Sequence, residues 1–252
     1  MLSYYVLYCY LIPLLAIYFI PGLFISYLFK FIKLNKAAYI LINFLAYSWM
    51  KIFLWTTGRK LIYLPNGYNL DNRNRFIICN HTNSLEVPFV VAIPGLSKDL
   101  SFKLSYLGGD IIFRYWILPL MMHAHVVDAV KYSDKNPNFR NFKKEVLDNL
   151  KEKSIFLFPE GKRTYSEEIQ ALATGVLKLA FKFKVDLDVF VISGMMGYSS
   201  DSEFESLRKS KLLYFKYCGS VFSKDYTNFE SMREVTERMM VQGKKELDQK
   251  YK

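Results

Sequence analysis

The sequence predicts an α/β fold: a mostly parallel central sheet with helices on both faces, preceded by an N-terminal hydrophobic helical membrane anchor. Three observations predict it. Short, wholly apolar runs end in polar turns, as strands buried on both faces do. Helical stretches alternate with those runs, which implies βα units. The first 60 of the 252 residues contain no Asp or Glu at all. The division expected is an anchor over 1–60 and a catalytic-sized domain over 61–252.

The anchor comes first. Met1 to Phe29 carries no charged side chain, and the run exceeds the roughly 20 apolar residues that cross a bilayer core. It lacks a basic leading region and a small-residue cleavage site, so it reads as retained. Pro13 and Pro21 would kink a helix there. A second run, Ala37 to Gly58, is interrupted only by Lys51 and carries Trp49 and Trp55, rings suited to an interface. Lys30, Lys33 and Lys36 lie on one flank of that run, and Lys51, Arg59 and Lys60 on the other. Basic flanks on both sides favour a hairpin dipping in from one face over two spanning helices. Two core helices of a globular domain are the less favoured alternative.

Four strands are expected beyond the anchor: Arg75 to Cys79, Ser154 to Phe158, Val189 to Ser193 and Leu212 to Cys218. Helices are expected at Ser84 to Ile93, Asn138 to Glu152, Glu167 to Lys184 and Phe229 to Gln249. Tyr132 to Arg140 and Tyr198 to Lys211 are polar and read as surface connections.

Charge and cysteine usage narrow the partners. The formal charge is +11, and six of the bases stand in the acid-free first 60 residues. An excess concentrated beside lipid-like segments points to a membrane surface and away from nucleic acid. Cys9, Cys79 and Cys218 are far apart and in no CxxC spacing, which suggests neither a disulfide framework nor a zinc site and places the folded part in a reducing compartment.

The first strand runs into Asn80-His81-Thr82-Asn83-Ser84-Leu85-Glu86. Groups after the carboxyl end of a parallel strand sit where such sheets build their sites. Glu86, in the first turn of the next helix, would reach back to His81, fix its tautomer and leave the other ring nitrogen to take a proton from a hydroxyl. A histidine satisfied beside a helix cap is an equally good account of this segment alone. The strand Ser154 to Phe158 is followed by Pro159-Glu160-Gly161-Lys162-Arg163-Thr164. Gly161 permits close backbone approach to a ligand, and Lys162 and Arg163 offer a point charge and a bidentate fork for phosphate oxygens. His123 and His125 alternate on one strand face, but with no further His or Cys nearby a metal site is not expected. Cys79 reads as packing, not as a nucleophile.

Together these segments resemble the glycerolipid acyltransferases that include the 1-acylglycerol-3-phosphate acyltransferases. NHTNSLE is similar to their first signature, Asn-His, four residues and an acid, with Glu86 where Asp is usual. Phe158 to Thr164 meets their third signature in full, and Thr174 to Gly194 follows the family's glycine, helix and next strand. The second signature aligns with His123 to Ala129, placing Ala129 where the family has a phosphate-binding arginine; the prolines of the fourth correspond to Asp186 and Val189.

The resemblance implies acyl transfer from acyl-CoA, a co-substrate, to a lysoglycerophospholipid such as lysophosphatidic acid, without a cofactor or metal. It implies His81 as general base, Glu86 as its orienter, and Glu160, Gly161, Lys162 and Arg163 as the acceptor's binding residues. It also implies residence on a membrane, the endoplasmic reticulum or an equivalent inner membrane, with the domain facing the cytosol. Glu86 and Ala129 motivate a second reading, a lipid-binding relative without turnover.

Overall fold

The computed structural model describes residues 20–22, 24–56, 58–65, 68, 74–82, 103–109, 128–132, 139–162, 168–194 and 212–251. Its centre is a seven-stranded sheet built from β1 (Lys60–Leu64), β2 (Phe76–Cys79), β3 (Leu104–Gly109), β4 (Asp128–Tyr132), β5 (Ser154–Leu157), β6 (Leu187–Ser193) and β7 (Leu212–Val221). Their order across the sheet is β1-β7-β6-β2-β5-β3-β4. Every neighbouring pair is parallel except β6 and β7. The mostly parallel α/β architecture expected is therefore present.

Burial explains which strands are so apolar in sequence. All residues of β2, β5 and β6 are buried, and strands covered on both faces select continuous apolar runs. On one face, Phe76, Ile78, Ile155, Leu157, Val189 and Val191 pack with Val146 of α2 (Phe139–Leu150), Leu177 and Ala180 of α3 (Thr174–Phe183), and Met232, Met240 and Leu247 of α4 (Phe229–Tyr251). On the other, Ile77, Cys79, Phe156, Phe190 and Phe215 pack with Met50 and Leu54 of α1 (Asn35–Thr56).

That last contact changes the account of the N-terminal segment. The run read as a membrane helix is α1, and it buries Ala38, Ile42, Leu45, Ala46, Met50 and Leu54. Apart from the adjacent Leu45 and Ala46, these positions recur every three or four residues, the period of one helix face, and Met50 and Leu54 pack on the sheet. Residues 24–31 are also helical, and a turn with Lys33 at φ 62° leads into α1. The two segments touch closely: a Cβ at Gly22 would lie 2.1 Å from Leu45 Cδ1. No described helix is long and apolar enough to cross a membrane. Residues 1–19 of the expected anchor lie outside the described residues, and composition alone does not separate an apolar face that meets protein from one that meets lipid.

Other expectations shift at their edges. β1, β3 and β4 were not anticipated. The helix expected from Glu167 begins only at Thr174, because the backbone N–H groups of Gln170 and Ala173 are engaged by the turn after β5. The helix expected at Ser84 to Ile93 and the connection at Tyr198 to Lys211 lie outside the described residues.

At the amino ends of β2 and β6 a polar cluster is buried beneath the second face. Arg75 Nη1 donates to Asp188 Oδ1 at 2.8 Å, and the Tyr68 hydroxyl donates to Asp188 Oδ2 at 3.0 Å. The Ser220 hydroxyl also donates to Asp188. This cluster fastens the chain before β2 to β6 and β7, at the edge opposite the carboxyl ends of β2 and β5.

Candidate active site

The β2 and β5 ladders place the two sequence signatures side by side. Phe76, Ile77 and Ile78 pair with Ile155, Phe156 and Leu157. His81 and Glu160 each stand three positions past the last pair of that ladder, and the Glu160 side chain bridges to the His81 main chain. From this edge the chain departs in opposite directions: β3 lies beyond β5, whereas β6 lies on the far side of β2. The carboxyl ends of adjacent parallel strands whose connections run in opposite directions are where such sheets hold ligands.

His81 is positioned from several sides. Its backbone N–H donates to Glu160 Oε1 at 2.7 Å. Its ring stacks on Phe158, with centroids 3.9 Å apart and planes 12° from parallel. Phe158 in turn meets Phe156 edge to face at 5.2 Å. Strand alternation carries Ile77 and Cys79 to the α1 side of the sheet, and the contact with Phe158 puts the imidazole there too.

The preceding residue clamps the end of β2. The carboxamide of Asn80 accepts the Ile192 N–H at 2.7 Å and donates to the Ile192 carbonyl at 3.1 Å. It serves β6 as a strand peptide would, and both residues are buried. Asn80 stood in the sequence signature without an assigned role.

The turn after β5 is equally constrained. Gly161, at φ +71°, donates its N–H to the Phe158 carbonyl at 3.1 Å. That left-handed conformation favours glycine. The Pro159 carbonyl accepts the Ala173 N–H at 2.6 Å, holding the turn against the approach to α3. Glu160 is buried, while Gly161 and Lys162 are exposed. The Glu160 carboxylate reaches the N–H groups of His81 and, at 3.0 Å, Gln170.

Of the residues singled out in sequence, His81, Glu160, Gly161 and Lys162 converge at this edge. Glu86, Arg163, His123 and His125 lie outside the described residues. Ala129 stands within β4, paired with Tyr106 of β3. Among the described residues no cluster of His, Cys, Asp and Glu could hold a metal ion.

The model of the acyltransferase family matches residues 62–193, a little over half of the chain. The chain belongs to the acyltransferase family. Within that match lie both signatures and the strands that carry them. A probable 1-acyl-sn-glycerol-3-phosphate acyltransferase of Mycoplasma pneumoniae is 23% identical over 154 residues, which cover 60% of this chain and 56% of that protein. The match therefore spans little more than half the length of that relative. The crystal structure of the 1-acyl-sn-glycerophosphate (LPA) acyltransferase from Thermotoga maritima superposes with a TM-score of 0.66 at 17% identity, covering 95% of this chain and 97% of that one. At that identity the likeness speaks for a shared fold.

Proposed function

We propose that this acyltransferase moves an acyl chain from acyl-CoA to the free hydroxyl of a lysoglycerophospholipid such as lysophosphatidic acid. The observation that carries the reading is the adjacency of His81 and the Pro159–Lys162 turn at one sheet edge, joined by a 2.7 Å hydrogen bond. The imidazole takes the acceptor hydroxyl's proton as the oxygen attacks the thioester carbonyl. The tetrahedral intermediate collapses by breaking the carbon–sulfur bond, and the departing thiolate takes the proton back from the imidazolium. Oriented N–H donors would stabilise the intermediate's oxyanion. Lys162 and Arg163 bind the acceptor phosphate, and Glu86 orients His81.

The N-terminal helices bring the site to lipid. Phe24 is 72% exposed, Phe31 85% and Trp55 82%, with Lys30, Lys33 and Lys36 among them in sequence. Apolar side chains so displayed, with lysines beside them, suit an interfacial helix pair on an anionic leaflet. α1 covers the face toward which His81 points, so a bilayer under those helices would deliver acyl chains near the base.

The test is a His81→Ala variant assayed with acyl-CoA and a panel of lysolipids. Wild type should convert at least one lysolipid, and the variant should fall to background. Equal product from both would refute the assignment.

A further inference from the structure

Glu160 was expected, from resemblance, to help bind the acceptor. We infer instead that it is a positioning residue. Its carboxylate holds the main chain of His81 and ties it to that of Gln170. The inference rests on the reading of this edge as the acyl-transfer site.

The strand geometry supplies the reason. In a parallel ladder each strand's N–H groups donate to carbonyls of its neighbour. After Leu157 the β5 chain turns away, with Gly161 at φ +71° and its N–H given to Phe158. The main chain of β5 therefore stops following β2 before His81 is reached. The Glu160 side chain restores an acceptor at that point, 2.7 Å from the His81 nitrogen. Its other oxygen takes the Gln170 N–H at 3.0 Å, pinching together the two ends of residues 161–169. Hydrogen bonds from N–H to an ionised carboxylate are stronger than neutral ones. Burial fits this role: Glu160 is 6% exposed, while Gly161 and Lys162 beside it are exposed. A carboxylate is also the wrong partner for an anionic phosphate, which it repels. Asn80 does the corresponding job on the opposite side of β2, where its carboxamide meets Ile192.

The test uses Glu160→Gln in the full chain, which keeps the shape but leaves one acceptor for two donors. Because the chain has only three histidines, 15N-histidine labelling gives three backbone amide signals, and His81→Ala identifies the relevant one. The His81 amide proton should move upfield in Glu160→Gln. kcat should drop about 10- to 100-fold, as expected for a displaced catalytic group, with the acceptor KM changed by less than about threefold. A tenfold or greater rise in acceptor KM at unchanged kcat would make Glu160 an acceptor ligand and overturn the inference. So would an unmoved His81 amide. If the wild type transfers no acyl group at all, the proposed function fails, yet the amide signal still decides the role of Glu160. If the variant does not fold, hydrogen exchange in the wild type decides: a slowly exchanging His81 amide supports the inference, and exchange at the unprotected rate refutes it.

Discussion

Asn80 and Ile192, 112 positions apart, exchange two hydrogen bonds in which a side chain takes the part of a peptide. The ladder between β2 and β6 ends in main-chain pairing at Cys79 and Phe190; the Asn80 carboxamide extends it to the residue before the base. Asn80→Ala leaves both Ile192 groups buried without this partner, and each such group costs about 1–3 kcal/mol. Urea unfolding should show that loss, and kcat should fall about 10-fold or more as His81 shifts. A variant with wild-type midpoint and wild-type kcat would show that the clamp is idle.

The stack of His81 on Phe158 leads to a sharper expectation. A flat ring 3.9 Å away limits how the imidazole can tilt, and an aromatic pair contributes about 0.5–1.5 kcal/mol beyond area burial. Phe158→Leu keeps apolar bulk but removes the platform, so kcat should fall while the acceptor KM holds. Phe158→Tyr keeps the ring and should retain most activity. Equal kcat in the Leu and Tyr variants would remove Phe158 from the positioning of the base.

Arg75 and Asp188 form a buried pair whose loss should be pH-dependent. Burial, the dominant influence, raises the Asp188 carboxyl above its ordinary range despite Ser220, Arg75 and Tyr68. A group with a raised folded pKa binds its proton more tightly when folded. Its contribution is thus fully present below the unfolded pKa and lost as pH rises through the folded one. Arg75→Met removes the compensating cation, and stranding a buried charge costs about 3–5 kcal/mol. The variant should be strongly destabilised at neutral pH and recover part of its stability in mild acid, where Asp188 can hold a proton. Urea midpoints across pH 5 to 8 measure this; a pH-independent deficit would contradict it.

How much of this was legible in sequence follows from burial. β2, β5 and β6 are covered on both faces, so every residue of FIIC or LDVFVIS is under the same apolar demand. β4 is an edge strand and reads DAVKY; β3 carries Ser105 and two glycines. Neither meets that demand, and both were missed. At the site, residue types at strand ends picked out His81 and Glu160. They did not reveal that Glu160 faces the His81 main chain, because that contact is set by register between strands 79 positions apart. The buried face of α1 was hidden for a related reason: its exposed side carries Ile40, Phe44 and Trp55 as well as Lys36 and Lys51, so apolar residues stand on both sides.

A close approach of α4 to the sheet yields a rescue experiment. A Cβ at Gly243 would lie 2.2 Å from Cys218 Sγ and 3.4 Å from Val191 Cγ2, so no side chain fits while the sulfur is present. Gly243→Ala alone should destabilise by about 1–3 kcal/mol through overpacking. Cys218→Ala removes the obstructing atom, and the double variant should regain most of the loss, a coupling that thermal unfolding of all four proteins measures. The thiol reports the same contact chemically. Burial pushes Cys218 up to about 12 from 9.0, so it stays protonated and slow to alkylate at pH 8. Its contribution to stability is full below 9 and declines as pH rises toward 12, because the unfolded thiol ionises first. In Gly243→Ala the displaced thiol should alkylate faster. Unchanged alkylation together with additive stabilities would mean that helix and sheet have room to spare at this point.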